Sequence, residues 1–507
     1  MIFSKLIYVG MCFLVVGVHV LLSGIAGLVT YFLAGDHREL HISVVFVVCG
    51  LASLAIAFSL LRLPKPELSR EDAFLVGILL WILTPLISAI PLTLASGIHY
   101  IDAVFESVSG WTTTGLTLFV GEQSSLGSYL PTPDELPTSL KFWRSLSQWI
   151  GGLGVLTLIA YLLAGRRLSA AHLYSVEGRF QRISSNIYVA IKELSLIYVI
   201  FTAVSIAILY FAGMTFYDAV HHAMTGIATG GFSTHSESVG FYDTRLVHMA
   251  VFLVMFLGAT SFLDLYHIVR FKWIKLWGSV EFKALTVMCV IMSLLTLLLW
   301  ITDPIARERF EDPLALIFSV LSGLTTSGFT VIDVSKTDEA FKFLTIVAML
   351  IGGSAFSTAG GIKILRIVII ARSVSWEIES SLKSSGYMSP KRIGSYVIDD
   401  AILRRTLVTA TLYVVSVPLF AIILWIAFEG AISFIDAMFE SASAITGTGL
   451  SVGIARASAP LEVKLTLCIA MLLGRLEILA FLVAASALIS RSLGTLTSYL
   501  HRTHISS

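Results

Sequence analysis

Residues 101–116 read IDAVFESVSGWTTTGL, and residues 435–450 read IDAMFESASAITGTGL. The two stretches align without a gap and share an Asp-Ala pair, a Phe-Glu-Ser triplet and a final Gly-Leu pair. A match of this length within one chain indicates an internal repeat. Apolar runs flank both stretches, so each copy is predicted to be a helix, a short re-entrant segment ending in a Thr/Ser/Gly turn, and a second helix.

Two weaker copies lie between these stretches. Residues 217–232 read YDAVHHAMTGIATGGF and keep the Asp-Ala pair and the late glycine. Residues 319–329 read SVLSGLTTSGF and keep a Ser-Gly pair, two threonines and a glycine. The chain thus carries four copies with one glycine at the same place in each, and we call Gly115, Gly231, Gly328 and Gly449 the signature glycines.

The composition excludes an ordinary soluble enzyme. Of the 507 residues, 56% are hydrophobic and only 13% are charged, and the mean hydropathy is +0.88. Soluble domains contain about 25% charged residues, so this chain has too little polar surface to face water. Its net charge of +1 gives no reason to expect a nucleic-acid partner, and the expected surroundings are a lipid bilayer.

Ten apolar segments are long enough to cross a membrane, at roughly 20 residues per spanning helix. The first is longer than the hydrophobic region of a secretory signal peptide and is predicted to be a retained helix. The eighth is too long for one straight helix and is predicted to be broken. The segments are residues 6–33, 42–61, 73–95, 145–164, 194–212, 246–268, 284–301, 341–371, 406–427 and 465–490.

Each copy contains two crossings, so every copy re-enters the membrane from the same side. Four parallel repeats of this kind can surround one axis along the membrane normal. The predicted fold is therefore an all-α polytopic membrane protein with four helix, pore-loop, helix repeats around a central pseudo-fourfold pore, preceded by two N-terminal helices. The predicted divisions are residues 1–66 for the helix pair and 67–168, 169–275, 276–380 and 381–507 for repeats 1 to 4.

The distribution of basic residues predicts the orientation. Of the 34 lysines and arginines, 21 lie in the termini and in the segments before each repeat's first helix, and 10 lie on the opposite side. Because cytoplasmic loops carry the excess of positive charge, both termini are predicted to be cytoplasmic and the four turns to face outwards.

The four turns favour a cation pathway. Non-helical backbone at membrane depth is tolerated only where protein buries it or where it lines a water-filled path. Glycine and threonine allow turned backbone whose carbonyl oxygens can replace part of a cation's hydration shell. The short helices leading into the turns would point their negative ends in the same direction. Among the residues we find no catalytic constellation, so no enzymatic activity is expected.

Several motifs carry a family resemblance over nearly the whole chain. The turns TTTGL, TGGFSTH, TTSGF and TGTGL, together with GGLGVL at residues 151–156, GGSAFSTAGGIK at 352–363 and LLGRLE at 472–477, resemble the Trk/Ktr/HKT family of potassium transporters. The N-terminal helix pair makes the chain more similar to the bacterial Trk membrane subunit than to the shorter Ktr subunit. The resemblance implies potassium uptake across a bacterial inner membrane.

The resemblance also implies site residues. Each loop of the family contributes one filter glycine, and glycine at all four positions is associated with potassium selectivity. The implied potassium-binding filter is Thr113, Thr114, Gly115, Thr229, Gly230, Gly231, Thr326, Ser327, Gly328, Gly447, Thr448 and Gly449. The implied gate is an intramembrane loop below the filter, comprising Gly352, Gly353, Ser354, Phe356, Ser357, Thr358, Gly360 and Gly361, together with Arg475, which we expect in mid-helix.

Partners are implied in the same way. The chain is expected to form a homodimer bound by a cytoplasmic nucleotide-binding ring of the TrkA type, with contacts in residues 165–192 and 372–405. Nucleotide is expected only on that ring, no cofactor is expected on this chain, and potassium is the substrate.

Several alternatives remain open from the sequence. A symporter that couples potassium to protons or sodium would use the same fold. Phe356 is interpreted either as part of a mobile loop or as a hydrophobic plug, and Arg475 either competes with an ion or anchors the loop. Glu106 and Glu440 either attract cations or hydrogen-bond neighbouring backbone. The pair His221 and His222 is interpreted as structural and not as a metal site, because adjacent helical residues cannot face one ligand.

Overall fold

The computed structural model describes residues 2–63, 70–154, 157, 186–382, 391–394, 396–479, 481–482 and 486. Most of the predicted partner-binding segment 165–192 and part of segment 372–405 lie outside the described residues. Within the described part the protein is almost entirely helical, and its only strands are two short antiparallel pairs, Glu122–Gln123 with Tyr129–Leu130 and Arg392–Ile393 with Tyr396–Val397.

Six described helices are long and apolar enough to span a membrane, and a bent pair makes a seventh. The long helices are Ile2–Ala34, His37–Leu61, Arg70–Ser96, Ile187–Ala212, Val280–Thr302 and Asp400–Ala427. The bent pair is Arg245–Ala259 with Phe262–Val269, and the remaining helices of the bundle are Thr138–Leu153, Trp273–Gly278, Pro304–Arg309, Glu339–Ile351, Ile364–Leu382 and Leu461–Arg475.

Four short helices precede the polar turns, and we call them the pore helices. Each begins at a residue whose side chain accepts a hydrogen bond from a backbone N–H of the first turn, which is the usual way of satisfying a helix start. These capping residues are His99, Thr215, Asp312 and Ser433. The pore helices are Tyr100–Trp111, Phe216–Ile227, Pro313–Leu324 and Phe434–Thr446.

In repeats 2 and 4 the second helix ends before the predicted end of its apolar segment, and this corrects two expectations from the sequence. The predicted sixth crossing, 246–268, is bent by 111° because Thr260 is extended and Ser261 starts a new helix by accepting from the Leu263 N–H. Arg475 is the last residue of its helix and not a mid-helix residue, because Glu477 adopts a left-handed φ of 56°. The break predicted in the eighth segment is present over residues 352–363.

The N-terminal helix pair supports the first repeat. Glycines spaced seven residues apart, Gly10, Gly17 and Gly24, face the second helix, where a Cβ on any of them would lie 2.6–3.0 Å from the neighbouring helix. Such small residues allow membrane helices to pack closely. The buried carboxylate of Glu39 then accepts hydrogen bonds from the backbone N–H groups of Thr138 and Ser139. The pair therefore caps the helix that follows the first turn.

Buried ion pairs join one repeat to the next. Lys464 in repeat 4 lies 2.7 Å from Asp102 in the pore helix of repeat 1, and both side chains are almost fully buried. Lys342 in repeat 3 lies 2.7 Å from Asp436 in the pore helix of repeat 4. Both lysines occupy the fourth position of their helices. The same contact between second helix and next pore helix thus occurs twice around the ring, and one copy closes the ring from repeat 4 to repeat 1.

We expect the variant Lys464→Met to be strongly destabilised, since removing one partner of a buried pair leaves the other charge uncompensated at a cost of about 3 kcal/mol or more. Thermal unfolding in detergent, followed by fluorescence-detected size-exclusion chromatography, measures the loss. Lys336→Met is the matched control because the Lys336–Asp333 pair is exposed and contributes little. Equal unfolding temperatures for the two variants would contradict a structural role for the buried pair.

Candidate ion-conduction site

All four pore helices end in the same backbone motif. In repeat 1 the N–H of Thr114 donates to the carbonyl of Ser109 at 2.9 Å, and the N–H of Thr113 donates to Gly110 at 3.0 Å. These are the two bonds of a Schellman motif, which requires a left-handed residue directly after the helix. The equivalent bonds recur in the other repeats. The left-handed residues are Thr113, Thr229, Thr326 and Gly447, with φ of 58°, 51°, 52° and 67°.

The signature glycines close a ring. A Cβ on Gly115 would lie 2.0 Å from the carbonyl oxygen of Gly230 in the next repeat. The same approach is made by Gly231 to Ser327 at 2.2 Å, by Gly328 to Thr448 at 2.0 Å and by Gly449 to Thr114 at 2.1 Å. Each repeat contacts the next, and the fourth contacts the first, so the four turns surround one axis. No side chain fits at any of the four positions without moving a neighbouring backbone.

The ring separates two spaces. A vestibule of about 790 Å³ lies on the side of the segments that follow the signature glycines, and all four of those glycines line it. A small cavity of about 50 Å³ lies on the other side and is lined by Thr113 and Gly447 of the turns, by Thr358 and Gly360, and by Arg475. The twelve predicted filter residues are therefore brought together between two cavities.

Residues 352–363, which we call the intramembrane segment, pack directly against the ring. The N–H of Gly360 donates to Thr326 Oγ1 at 2.7 Å, and Thr229 Oγ1 lies 3.3 Å from Thr358 Oγ1. A Cβ on Gly360 would lie only 1.8 Å from the carbonyl oxygen of Thr446. Close contact with the turn of repeat 4 thus explains Gly360. Gly352 and Gly361 approach each other and have positive φ of 70° and 76°.

The segment is also tied to helices beside the ring. Thr358 Oγ1 lies within donating distance of the carbonyls of Ile227 and Gly258, at 2.8 and 2.9 Å. The N–H of Ala355 donates to the buried carboxylate of Glu281 at 2.7 Å. The ring of Phe356 is buried against Phe262, with centroids 5.6 Å apart. Phe356 is not among the residues that line the small cavity, so its ring faces a helix.

Arg475 joins the turns, the segment and the first repeat. Its guanidinium donates to Thr113 Oγ1 at 3.2 Å, to the carbonyl of Thr358 at 3.4 Å and to the carbonyl of Gly151. The neighbouring Glu477 pairs instead with Arg366, at 2.9 Å to both carboxylate oxygens. Glu477 lies two residues beyond the end of the helix that carries Arg475 and has a left-handed φ of 56°.

The two carboxylates of the Phe-Glu-Ser triplets hold backbone. Glu106 accepts hydrogen bonds from Thr117 Oγ1 and the N–H of Leu118. Glu440 accepts them from Ser451 Oγ at 2.8 Å and from the N–H groups of Val452 and Ala455 at 3.0 and 2.9 Å. Both therefore fix the segment that leaves the filter, and of the two interpretations left open by the sequence the structure matches the backbone-bonding one.

His222 occupies the position of these carboxylates in repeat 2. It lies nine residues before its signature glycine, as Glu106 and Glu440 do, and its Nε2 is 3.0 Å from Ser233 Oγ. His221 instead contacts Ser145 Oγ at 2.8 Å. Among the described residues no cluster of three or more metal-ligating side chains is found. The two adjacent histidines thus have different partners, Ser145 for His221 and Ser233 for His222.

One charged residue at the vestibule was missed by the sequence analysis. Arg144 is almost fully buried, lines the vestibule and lies 3.6 Å from Glu106. Its guanidinium donates to Ser233 O at 3.1 Å and to Thr117 Oγ1 at 3.2 Å, and it stacks over the ring of Phe232 at 4.0 Å. It therefore links the exits of the first two turns. Glu106 is the residue that could have indicated a buried arginine, but its proximity to Arg144 becomes apparent only in the folded structure.

A histidine bridge closes the loop after the second turn. His235 Nδ1 lies 2.9 Å from Asp134, its Nε2 lies 3.4 Å from Asp218, and its ring stacks on Phe241 at 3.7 Å. Burial disfavours the charged ring, but the bonds to Asp218 and Asp134 outweigh burial and raise the pKa of His235. Lys141, whose Nζ donates to the Asp134 carbonyl at 3.1 Å, is the other charged group beside the bridge.

Because the pKa of His235 is raised in the folded state, its stabilising contribution is fully present below the ordinary histidine value of about 6.5 and is lost as the pH rises through the raised pKa. We expect wild type to have a higher unfolding temperature than His235→Gln. The difference between the two temperatures is expected to be largest at acidic pH and to shrink towards alkaline pH. Thermal unfolding across this range measures it, with the exposed His41→Gln as control. A gap that widens with rising pH would contradict the assignment.

Comparison with known proteins agrees with this architecture. A family model described as "TrkH: Cation transport protein" matches residues 43–493. The "Uncharacterized cation transporter MJ1485" of Methanocaldococcus jannaschii is 32% identical over 453 residues, which cover 88% of this chain and 89% of that protein. The "Trk system potassium uptake protein TrkH" of Halomonas elongata is 31% identical over 436 residues, covering 83% and 86%. The crystal structure of the potassium transporter TrkH from Vibrio parahaemolyticus matches with a TM-score of 0.78 at 25% identity, covering 95% of this chain and 98% of that one. This chain, a multi-pass helical membrane protein, belongs to the TrkH family of cation transport proteins.

Proposed function

We propose that this protein takes up potassium across the inner membrane through a selective pore formed by the four turns. The observation that carries the proposal is the closed ring of signature glycines. A Cβ on each of them would lie 2.0–2.2 Å from a carbonyl oxygen of the next repeat. Backbone crowded in this way places oxygen atoms around one axis. Rings of carbonyl oxygens replace a cation's hydration shell in selective channels.

Electrostatics supports a cation and not an anion. The four pore helices end at the ring, so the negative ends of their dipoles are directed towards it. The three left-handed threonines add hydroxyl oxygens on the side of the ring that faces the intramembrane segment. Potassium is the proposed cation because glycine occupies all four signature positions and because relatives such as that of Halomonas elongata are named as potassium uptake proteins.

The intramembrane segment is the proposed gate. It lies directly below the ring, and together with Arg475 it fills the space on that side down to a cavity of about 50 Å³. Arg475 also places a positive charge beside Thr113, where it opposes the entry of a cation. Movement of the segment and of Arg475 is therefore the proposed opening step.

The proposed orientation and partners follow from charge and from relatives. The excess of lysine and arginine before the first helix of each repeat supports cytoplasmic termini and a vestibule that faces outwards. Relatives belong to a "Trk system", which supports a multi-component assembly. We propose a homodimer bound by a cytoplasmic nucleotide-binding ring, with nucleotide held by the ring and not by this chain.

The test of the proposed function is ion flux in proteoliposomes under opposing potassium and sodium gradients. Wild type is expected to pass potassium in preference to sodium, and Gly115→Ser to lose that preference, because its Cβ would displace the Gly230 carbonyl. Gly278→Ser is the matched control, since a Cβ there meets nothing within 4 Å. Wild-type flux without potassium preference contradicts the proposal. Saturable flux that requires a gradient of protons or sodium identifies symport instead.

A second experiment tests the gate. Deletion of residues 354–358 removes the bonds to Glu281 and Thr229 and is expected to raise potassium flux several-fold by widening the path. Size-exclusion chromatography reports whether the deletion folds. If it does not, Thr358→Val removes the hydroxyl contacts with less disturbance and is expected to act in the same direction. Unchanged flux in a folded variant would remove the gate assignment.

A further inference from the structure

At one equivalent position of the second helices, repeat 1 carries a different residue from the other three repeats. Ten residues after the start of each second helix, repeats 2, 3 and 4 have Met255, Met349 and Met471, and repeat 1 has Gln148. All four side chains are buried. A glutamine among methionines in a membrane interior needs polar partners, because an unsatisfied amide there is costly.

The partners of Gln148 belong to the filter turn of repeat 2. Its Nε2 donates to the carbonyl of Gly230 at 2.7 Å, and its Oε1 accepts from the N–H of Phe232 at 3.1 Å. These two groups lie on either side of Gly231, so the amide spans one signature glycine. The Gly230 carbonyl is also the one that Gly115 approaches. A side chain from repeat 1 thus holds one of the four ring oxygens.

The residue facing the glutamine is adapted to it. Directly before the signature glycine, repeats 1, 3 and 4 carry Thr114, Ser327 and Thr448, whereas repeat 2 carries Gly230. A Cβ on Gly230 would lie 2.4 Å from Gln148 Cδ. A side chain at position 230 would therefore displace the amide of Gln148 from its present place. Glycine at 230 and glutamine at 148 form a matched pair where the other repeats have a hydroxyl residue and a methionine.

The turn of repeat 2 also differs in how its own pore helix supports it. In repeats 1 and 4 the N–H of the signature glycine donates to a pore-helix serine, Ser109 or Ser443, at 3.0 and 2.9 Å. The residue at that place in repeat 2, Thr225, donates to the carbonyl of His221 within its own helix. In repeat 3 the equivalent Ser322 Oγ has no hydrogen-bond partner among the described residues. In repeat 2 Gln148 from the neighbouring repeat bonds the two groups on either side of Gly231.

We propose that Gln148 is a selectivity-determining positioning residue of the filter, which fixes the Gly230 carbonyl from behind the ring. This inference rests on the proposed function, because selectivity has meaning only for a conducting pore. With its carbonyl held by the amide, the second turn cannot move inwards to surround an ion smaller than potassium. The glutamine does not touch the ion, and it acts through the backbone of repeat 2.

The variant Gln148→Met gives repeat 1 the residue of the other three repeats and removes both hydrogen bonds. We expect the potassium to sodium permeability ratio in proteoliposomes to fall by about tenfold, which is the effect of losing roughly 1.4 kcal/mol of preferential support. Potassium flux itself is expected to persist, since the ring of glycines is intact. Met255→Leu, a volume-conserving change at the equivalent position of repeat 2, is the matched control and is expected to keep the wild-type ratio.

A second variant distinguishes a role in selectivity from a folding defect of Gln148→Met. Gly230→Ala adds only a methyl group, which displaces the amide of Gln148, and it is expected to lower the ratio as Gln148→Met does. In the double variant Gln148→Met/Gly230→Ala the flexible methionine leaves room for the methyl group. We therefore expect the ratio of the double variant to stay at the Gln148→Met value, so that the two changes are not additive.

The outcomes distinguish the inference from the function. Wild type without potassium preference overturns the proposed function. Wild type with that preference and Gln148→Met with the same ratio overturns the role of Gln148. An equal fall in Gln148→Met and Met255→Leu also overturns that role, because general packing behind the filter then accounts for the change.

Discussion

Backbone polar groups at membrane depth must be paired with protein, water or an ion, and the centre of this molecule is arranged around that constraint. Each pore helix ends in a Schellman motif that pairs its last carbonyls and turns the chain sharply. The turned segments then pass so close to one another that a Cβ at any signature position would lie 2.0–2.2 Å from a neighbouring carbonyl oxygen. Four glycines are therefore the condition for four backbones to share one axis, and the ion-pair and carboxylate contacts around them serve to keep that arrangement.

The left-handed residues carry a cost that the surroundings offset. Threonine is β-branched and strained at positive φ, yet it occupies this place in three repeats. Each of these threonines contacts a group below the ring: Thr113 contacts Arg475, Thr229 contacts Thr358, and Thr326 contacts the N–H of Gly360. The fourth position is Gly447, which is unstrained and offers no hydroxyl. The strained positions are thus those at which the turn is bonded to the intramembrane segment or to Arg475.

Much of this fold is predictable from local pattern, because the repeat is visible in the sequence. Asp102 and Asp436 align, the signature glycines align, and a run as rich in glycine as 352–361 cannot remain helical. The contacts that close the ring are not predictable in this way. Lys464 and Asp102 are separated by 362 residues, and Gln148 is separated by 82 residues from Gly230. Their pairing depends on the circular order of the repeats, which only the folded structure establishes. The bend at Thr260 was missed for a related reason. Thr260 and Ser261 interrupt the apolar run only briefly, and the break serves contacts with residues 354 and 356 that are distant in the sequence.

The same contacts constrain how the pathway can change. The intramembrane segment is bonded to Thr326, to Arg475 and to both sides of the bend, where the N–H of Ser354 donates to Ala259 and the N–H of Phe262 donates to Phe356. Displacing the segment breaks bonds to residues that set the left-handed turns, and so it alters the support of the ring above. The position of the segment and the geometry of the ring are therefore coupled. Repeats 2 and 3 bond to the segment directly, through Thr229 and Thr326, and repeat 1 reaches it through Arg475. In repeat 4 the Thr446 carbonyl lies against Gly360. The turn of repeat 2 is also held by Gln148, a contact that does not involve the segment, so part of its support does not depend on where the segment lies.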